Sequence, residues 1–507
     1  MKITRKVVKG IKMKNKKIFL KIFSVVLSIG IHISTLGAIE TDELKMSILQ
    51  LKITTQSPNF MYPWQMKKPI NSEAVGILIG KNKILTLASQ LEYYTSIEVR
   101  KFSTIQSVPA TPIKIDYESN LAILSLDDES YLSDLLPTEF NNFNDVGIQV
   151  SIVQTVNNGS LQTSKGRILN MDMDTYTIGS TELPFLNLNS NEKLEGIGEI
   201  VLEKNKPSGI LYKFSSNKNN GRVIPGFIIN RFINKMNKKI SPFPYKGFRF
   251  RPIADEATRE FYGLTDGQDG VLVAEILPYS GAEGILKLGD VITEFGGQKI
   301  DSQGYFKHPD YGKQSLSFIA HSGFDMGFKK GSKIPVKILR DKAESTVYLP
   351  LKPFPEKAVK IPYTHNSGKL PNYVIRGGFL FTEFSEFLCR EWGQNWRSRV
   401  DKKLVYLADF HRYHDFGSKG RILVLLQVLP DEINNGYHNL SMEIVKSIDN
   451  KNVSSIKELD SQILESESEI TQIELDSGVT IAINKQNLKK ADERISKKFN
   501  ISKLGRY

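Results

Sequence analysis

The sequence predicts a mainly β protein built from several domains. Along most of the chain, short apolar runs alternate with turn residues, and few stretches before residue 370 have the spacing of a long helix. The chain has 507 residues, of which 24% are charged and 40% are hydrophobic. That length exceeds what one compact core holds, and the composition is too ordinary for a disordered chain. We therefore expect two to four domains.

The positive charge of the chain is concentrated at its N-terminus. The formal net charge is +13, but nine of the 68 basic residues precede Ala38, in a stretch without any acidic residue. Beyond it, 59 basic residues face 55 acidic ones, which leaves a net charge of +4. A polyanion-binding surface is therefore not indicated, and we expect no nucleic-acid partner. The composition also excludes collagen-like, mucin-like and disulfide-rich proteins.

Residues 1–38 have the pattern of a signal peptide. Basic residues precede an apolar run at residues 22–33, and Leu-Gly-Ala at 36–38 offers small residues for cleavage. The alternative is an uncleaved N-terminal anchor, which would then be the only membrane contact. Cys389 is the single cysteine, so the chain has no lipid-attachment cysteine near the leader and no intrachain disulfide. We expect export to an extracytoplasmic space such as the periplasm.

Two groups of short strands are predicted in the first half of the chain. Apolar runs at residues 74–80 and 84–88 flank a Lys-Asn-Lys turn and form a hairpin by their spacing, and residues 121–126 form a short buried strand. Residues 147–156, followed by Asn-Asn-Gly-Ser, open a second group. Two such groups fit two small packed barrels.

Proline and glycine then mark a linker after the second group of strands. Pro242, Pro244 and Gly247 interrupt the strand pattern at this point. We expect a domain boundary here.

Several strings of residues resemble the HtrA/Deg family of trypsin-like serine proteases. Three strings resemble the first barrel of that family, namely AVGILIG at 74–80, ILTLASQL at 84–91 and DYESNLAIL at 116–124. Its first PDZ domain is resembled by GVLV at 270–273, LGDVI at 288–292 and VKILRD at 336–341. The second PDZ-like domain of the plant-type Deg branch is resembled by PNY at 371–373, GGF at 377–379, QVLPDEINNGY at 427–437 and DSG at 476–478.

The resemblance implies a specific domain order. A trypsin-like double β-barrel would span residues 39–240, a first PDZ domain residues 245–355, and a second PDZ-like domain residues 365–507. The PDZ domains would be small α+β units.

A protease of this family needs a serine nucleophile, a histidine base, an aspartate and backbone donors for the oxyanion. The resemblance places the histidine at Ser89, the aspartate at Asn120 and the serine near Gly196. All three functional groups are missing at these positions. The sequence therefore predicts a catalytically degenerate member of the family.

The distribution of histidine supports this prediction without any alignment. No histidine lies between His32 and His308, so a different register of the barrels does not supply the base. An active serine endopeptidase remains the alternative function, and a purely architectural subunit is a second alternative. No cofactor is indicated.

Other polar clusters are more consistent with loops than with active sites. Ser190 stands between two asparagines, which is typical of a surface loop. His411, His414 and Asp415 would clip a metal only on a helix, and neighbouring glycine and serine residues favour a loop, so we expect no metal site. His308 is expected to be an exposed polar residue.

The first PDZ domain is the predicted binding site, with C-terminal or extended peptides of other proteins as partners. Such a domain adds the peptide as a strand and holds its carboxylate with loop amides. A helix from residue 279 would line the other side of the groove. The alternative is that Tyr262 and Leu264 only fill the core. The predicted groove residues are Phe261, Tyr262, Gly263, Leu264, Val271, Leu272 and Val273. Assembly with itself or with an active relative is also expected.

Overall fold

The computed structural model describes residues 47–507 except for 103, 143–144, 156–159, 236–241, 323–330, 365–367 and 416–418. The predicted signal peptide lies outside the described residues. Within the described part of the chain, no helix is both long enough and apolar enough to cross a bilayer.

The first barrel is closed and contains six antiparallel strands in the order β1-β2-β3-β6-β5-β4, with β4 pairing β1. Alternate side chains face the interior, and the predicted hairpin between β2 and β3 turns at Asn82, which has φ +51°. A 3₁₀ turn at Ala88–Leu91 follows β3 and another lies at Glu129–Leu132. The strands are β1 Ile48–Thr55, β2 Ile70–Gly80, β3 Lys83–Leu87, β4 Tyr94–Lys101, β5 Ser107–Asp116 and β6 Leu121–Leu126.

The second barrel is also closed, in the order β10-β11-β12-β9-β8-β7. A 3₁₀ turn lies at Ser216–Lys218, and helix α1 (Gly226–Ile233) follows the last strand. A shared apolar cluster, which includes Val75 and Leu121 of the first barrel and Ile200 and Ile210 of the second, joins the two barrels. The predicted mainly β fold with two barrels is confirmed. The strands are β7 Gln149–Thr155, β8 Leu161–Thr175, β9 Glu182–Asn189, β10 Ile200–Glu203, β11 Lys206–Ser215 and β12 Asn220–Pro225.

The central module contains a sheet in the order β14-β15-β16-β20-β21, with β17 paired to β16. Two further strand pairs, β13-β22 and β18-β19, flank that sheet. Its helices are α2 (Glu256–Tyr262) and α3 (Leu316–Ser322). The strands are β13 Pro244–Tyr245, β14 Phe248–Pro252, β15 Val271–Ile276, β16 Val291–Phe295, β17 Gln298–Lys299, β18 Tyr305–His308, β19 Gly312–Ser315, β20 Lys333–Arg340, β21 Ala343–Pro350 and β22 Lys352–Pro353.

The predicted linker at Pro244 and Gly247 is wrong. Pro244 and Tyr245 form β13, and Tyr245 is buried against Phe354 with ring centroids 5.1 Å apart. Proline is tolerated here because it is the first residue of a two-residue strand. The turn-type residues therefore lie at the start of the central module, beside the predicted domain boundary.

The central module is fastened to the second barrel by a buried lysine. Lys246 Nζ lies 2.7 Å from Glu182 Oε2 at the start of β9 and donates to Ser317 Oγ in α3 at 2.9 Å. Its side chain is only 4% exposed, so the ion pair is largely shielded from water. Gln314 adds a hydrogen bond to the Met171 carbonyl of β8. The module and the barrel therefore share a polar as well as an apolar interface.

The C-terminal module has a seven-stranded sheet in the order β28-β27-β26-β25-β24-β23-β29. Its helices are α4 (Glu386–Cys389), α5 (Lys402–Phe410), α6 (Ile456–Glu465) and α7 (Lys485–Lys498). Further 3₁₀ turns lie at Glu356–Ala358, Arg390–Trp392, Trp396–Ser398 and Glu432–Asn434. The strands are β23 Tyr373–Arg376, β24 Phe379–Glu383, β25 Leu423–Val428, β26 Glu443–Ile448, β27 Ile470–Leu475, β28 Thr480–Asn484 and β29 Gly505–Arg506.

Candidate functional site

Two of the predicted triad positions lie next to each other in the first barrel. Ser89 is in the 3₁₀ turn after β3, and Asn120 directly precedes β6 with φ +56°. The Ser89 amide donates to Asn120 Oδ1 at 2.7 Å, and the Ala88 amide donates to the Asn120 carbonyl at 3.0 Å. Asn120 is fully buried. The two predicted positions are therefore in contact, and this contact is structural because neither side chain is an imidazole or a carboxylate.

The third position, Gly196, has no room for a side chain. Its φ is +78°, a region that residues with a Cβ rarely adopt. A Cβ built on Gly196 would lie 2.6 Å from Lys213 Cα and 2.8 Å from the Lys213 backbone N and C atoms. Backbone atoms of β11 therefore fill the space that a serine hydroxymethyl group would need.

The amides of the same turn bind a carboxylate from the chain itself. Glu199 Oε1 accepts from the amides of Glu195 at 2.8 Å and Gly196 at 3.0 Å, and Glu199 Oε2 accepts from Ile197 at 2.8 Å. Glu199 is 1% exposed. Burial raises the pKa of Glu199, and the amide hydrogen bonds offset part of that rise. We call residues 195–199 the acid-capped turn.

The acid-capped turn also fastens the second barrel to the first. The Val75 amide of β2 donates to the Ile197 carbonyl at 3.1 Å, and a Cβ on Gly198 would lie 2.9 Å from the Val75 carbonyl oxygen. Thr86 Oγ1 in β3 donates to that same carbonyl at 2.9 Å. The predicted nucleophile turn therefore acts here as an inter-barrel joint.

A polar cavity of about 430 Å³ lies beside the acid-capped turn. Asp174 and Arg222 form an ion pair in its wall, and the rings of Tyr176 and Tyr212 lie 4.9 Å apart. Burial raises the pKa of Tyr212 above its usual value. The cavity therefore offers a charged pair and a neutral phenol, but none of these groups is a nucleophile paired with a base.

The other candidate sites do not assemble catalytic groups. Ser190 is buried, and its Oγ donates to the Lys165 carbonyl at 2.7 Å, which holds the loop. Within the described ranges, no group of three or more His, Cys, Asp or Glu side chains is placed to hold a metal. The prediction that His308 is exposed is wrong: it is 2% exposed and stacks on Tyr311 at 4.8 Å. Phe306 and Tyr311, its aromatic neighbours in the β18-β19 hairpin, help to bury the ring.

The predicted carboxylate-binding loop is a helix end. Phe261 and Tyr262 finish α2, and Gly263 follows it with φ +81°. The Gly263 amide donates to the Glu260 carbonyl at 3.0 Å and the Leu264 amide donates to the Arg259 carbonyl at 2.9 Å, which is a Schellman cap. This part of the groove prediction is wrong, because the amides that would hold a carboxylate already satisfy helix carbonyls.

The prediction that residues 271–273 accept a peptide strand is also wrong, because β15 is an interior strand. Val271 pairs with Pro252 on one side and with Ile292 on the other, and Leu272 pairs with Arg251 and Val291. Val273 pairs with Phe250 of β14. An added strand has no free edge here. The helix predicted from Tyr279 is absent too, because Tyr279 has φ +65° and a turn forms instead.

Three of the predicted groove residues do come together, at a different surface. Phe261, Tyr262 and Leu272 line a cavity of about 520 Å³ with Arg251 and Asp255. This cavity lies at the end of β14, which is the outer strand of the sheet. Sequence reasoning missed β14 because its five residues, FRFRP, alternate with arginine and lack a long apolar run. It also missed Glu199, whose only signal is an acid placed directly before the apolar run of β10.

Comparisons with known proteins identify the relationship of the chain. Residues 361–504 match the family model of a PDZ domain. Protease Do-like 2, a chloroplastic protein of Arabidopsis thaliana, is 24% identical over 408 residues, which cover 79% of this chain and 64% of that protein. The chain is a homologue of the Do-like proteases. A second relative, putative mitochondrial protease Do-like 3 of the same plant, is 23% identical over 90% of this chain and 78% of its own length.

Solved structures resemble the chain over about two thirds of its length. The HtrA-type protease AlgW with decapeptide is 16% identical, covers 63% of this chain and 99% of that chain, and has a TM-score of 0.47. The serine endoprotease from Yersinia pestis is 15% identical, covers 63% of this chain and 98% of that chain, and has a TM-score of 0.42. The relatives of the chain are Do-like proteases, which agrees with the resemblance of its motifs to the HtrA/Deg family.

Proposed function

We propose that this Do-like homologue is an exported, catalytically silent protein that binds extended or C-terminal peptides of other proteins and does not cleave them. The acid-capped turn carries the proposal. Hydrolysis needs a nucleophile at the turn and free amides for the oxyanion. Backbone atoms of β11 fill the space beside Gly196 that a nucleophilic side chain would need. The Glu199 carboxylate accepts the hydrogen bonds of the turn amides.

Catalytic silence is tested with a serine-directed fluorophosphonate probe and with casein. We expect background labelling and background hydrolysis, because no base and no nucleophile are held at Ser89, Asn120 and Gly196. An active HtrA-type protease in the same assay is the positive control. Stoichiometric labelling that disappears in Ser89→Ala or Ser190→Ala would show an active serine and overturn the proposal.

Peptide binding is assigned to the outer edge of β14. Within the part of the chain that the structure describes, this edge pairs with no other strand, so its outer backbone groups have the pattern that an added strand satisfies. The far end of the edge is covered, since the Ile253 amide donates to the Ser302 carbonyl at 3.0 Å. The apolar walls of the neighbouring cavity, Phe261 and Leu272, suit side chains of the incoming peptide.

Hydrogen exchange with and without peptide tests this assignment. A peptide with an apolar C-terminal residue should slow exchange of outward amides in β14 at least several-fold, while β15 amides, already paired on both sides, stay unchanged. The same peptide with an amidated terminus separates carboxylate recognition from strand addition. If no peptide at millimolar concentration protects β14, peptide binding at this edge is contradicted and the alternative of a purely architectural subunit is favoured.

A further inference from the structure

A loop of the first barrel binds the C-terminal module. We call residues 57–67, SPNFMYPWQMK, the aromatic loop; it connects β1 to β2. Phe60 stacks on Phe387 of α4 with ring centroids 5.6 Å apart and an interplanar angle of 16°. Trp64 lies 6.3 Å from the ring of Tyr373 in β23. Two aromatic side chains of the loop thus contact aromatic side chains of the module.

Polar side chains of the C-terminal module donate hydrogen bonds to backbone carbonyls of the aromatic loop. Gln427 Nε2 donates to the Met61 carbonyl at 3.0 Å, and Arg506 Nη1 donates to the Pro63 carbonyl at 3.0 Å. Lys67 pairs with Glu391 at 2.8 Å. The receiving surface, which we call the socket, is therefore defined by Tyr373, Phe387, Glu391, Gln427 and Arg506.

The aromatic loop is held in shape by hydrogen bonds within the loop, in addition to those with the socket. Asn59 Oδ1 accepts from the amides of Met61 at 3.0 Å and Tyr62 at 3.1 Å. The Asn59 amide donates to the Gln65 carbonyl at 3.1 Å, and the Lys67 amide donates to the Ser57 carbonyl at 2.9 Å. A ligand that keeps its shape when free binds with little loss of conformational entropy. The loop can therefore leave the socket without unfolding.

The fit between loop and socket is incomplete. A cavity of about 200 Å³ remains beside Phe60 and Phe387. The Trp64 indole nitrogen is buried without a hydrogen-bond partner among the described residues. An unsatisfied donor and a void both weaken an interface relative to a fully packed one. Such a weakened contact is one that a competing ligand can displace.

We propose that the socket is a binding site for aromatic, proline-containing segments, that the aromatic loop is its resident ligand, and that a free segment of the same chemistry displaces it. Recognition uses two aromatic side chains four residues apart, two backbone carbonyls between them and a basic residue after them. The socket lies on another module than the β14 edge, so this site is independent of the proposed peptide groove.

A labelled cyclic peptide of residues 57–67 tests the proposal on the full-length protein. The resident loop competes at an effective concentration of roughly millimolar, so the wild type should bind the peptide weakly. Phe60→Ala/Trp64→Ala removes the resident anchors and should bind it at least ten-fold more tightly by fluorescence anisotropy. Gln65→Ala, at an exposed position of the same loop, is the matched control and should bind like the wild type.

Equal affinities for the wild type and the double variant, or no binding to either at 1 mM, would overturn the proposal. Should the double variant fail to fold, Lys67→Glu takes its place, because it sets like charges against Glu391 and should raise peptide affinity about five-fold. The added peptide keeps its own lysine, so the socket itself is unchanged. Unaltered affinity in folded Lys67→Glu would likewise contradict displacement.

Discussion

Replacing Glu199 with alanine is expected to lower the free energy of unfolding by about 3 kcal/mol or more, because it leaves three amides of the acid-capped turn without an acceptor, at roughly 1–3 kcal/mol each when buried. The side chain is 1% exposed, so solvent does not readily replace it. The loss also loosens the joint to Val75 in the first barrel. Urea denaturation followed by circular dichroism measures the change.

Glu195→Ala is the matched control for this experiment. Glu195 is an exposed acid in the same turn, and its side chain accepts none of the amides that Glu199 binds. Its removal should change the unfolding free energy by less than about 0.5 kcal/mol. Equal and small effects for both substitutions would mean that the turn amides do not depend on the internal carboxylate.

Replacing Gly196 with serine is expected to destabilise the protein by about 2–5 kcal/mol, from a positive φ that costs about 1–2 kcal/mol and from an overpacked contact of about 1–3 kcal/mol. The clash is with Lys213 backbone atoms at 2.6–2.8 Å, which cannot rotate away as a side chain would. For the same reason, Ser89→His/Asn120→Asp/Gly196→Ser should yield no proteolysis even though all three triad residues are present.

Gly147→Ser separates the cost of the positive φ from the cost of the steric clash. Gly147 has φ +79°, nearly the value at Gly196, but a Cβ there has nothing within 4 Å. It should therefore lose only the roughly 1–2 kcal/mol of the backbone term. Casein hydrolysis by the folded triple variant would contradict the interpretation that the turn excludes chemistry.

The barrels could be predicted because their signals are local. Apolar runs on either side of Asn82 define the β2-β3 hairpin. The positions of Ser89 and Asn120 followed from strings on either side of them. Their adjacency in space is a property of the barrel that those strings specify.

The predicted acceptor strand was wrong because strand pairing is not determined by the local sequence. Residues 271–273 form an apolar strand in either case, but whether its edge is free depends on β14 and β16, which flank it. Gly263 looked like a loop glycine for a ligand, although the same left-handed conformation also ends a helix. Glu199 was missed because a single acid carries no signal of the three amides around it.

The contact between Arg506 and the Pro63 carbonyl joins residues 443 positions apart. During synthesis, the barrel strands on both sides of the aromatic loop emerge long before the socket does. Domains generally fold in order as they are made, so the first barrel can close while Phe60 and Trp64 still face water. The aromatic side chains of the loop then stay exposed at least until Tyr373 and Phe387 of the socket have been made, and the contact with Arg506 follows later still. The complete set of contacts between loop and socket therefore forms only after β29 has been made.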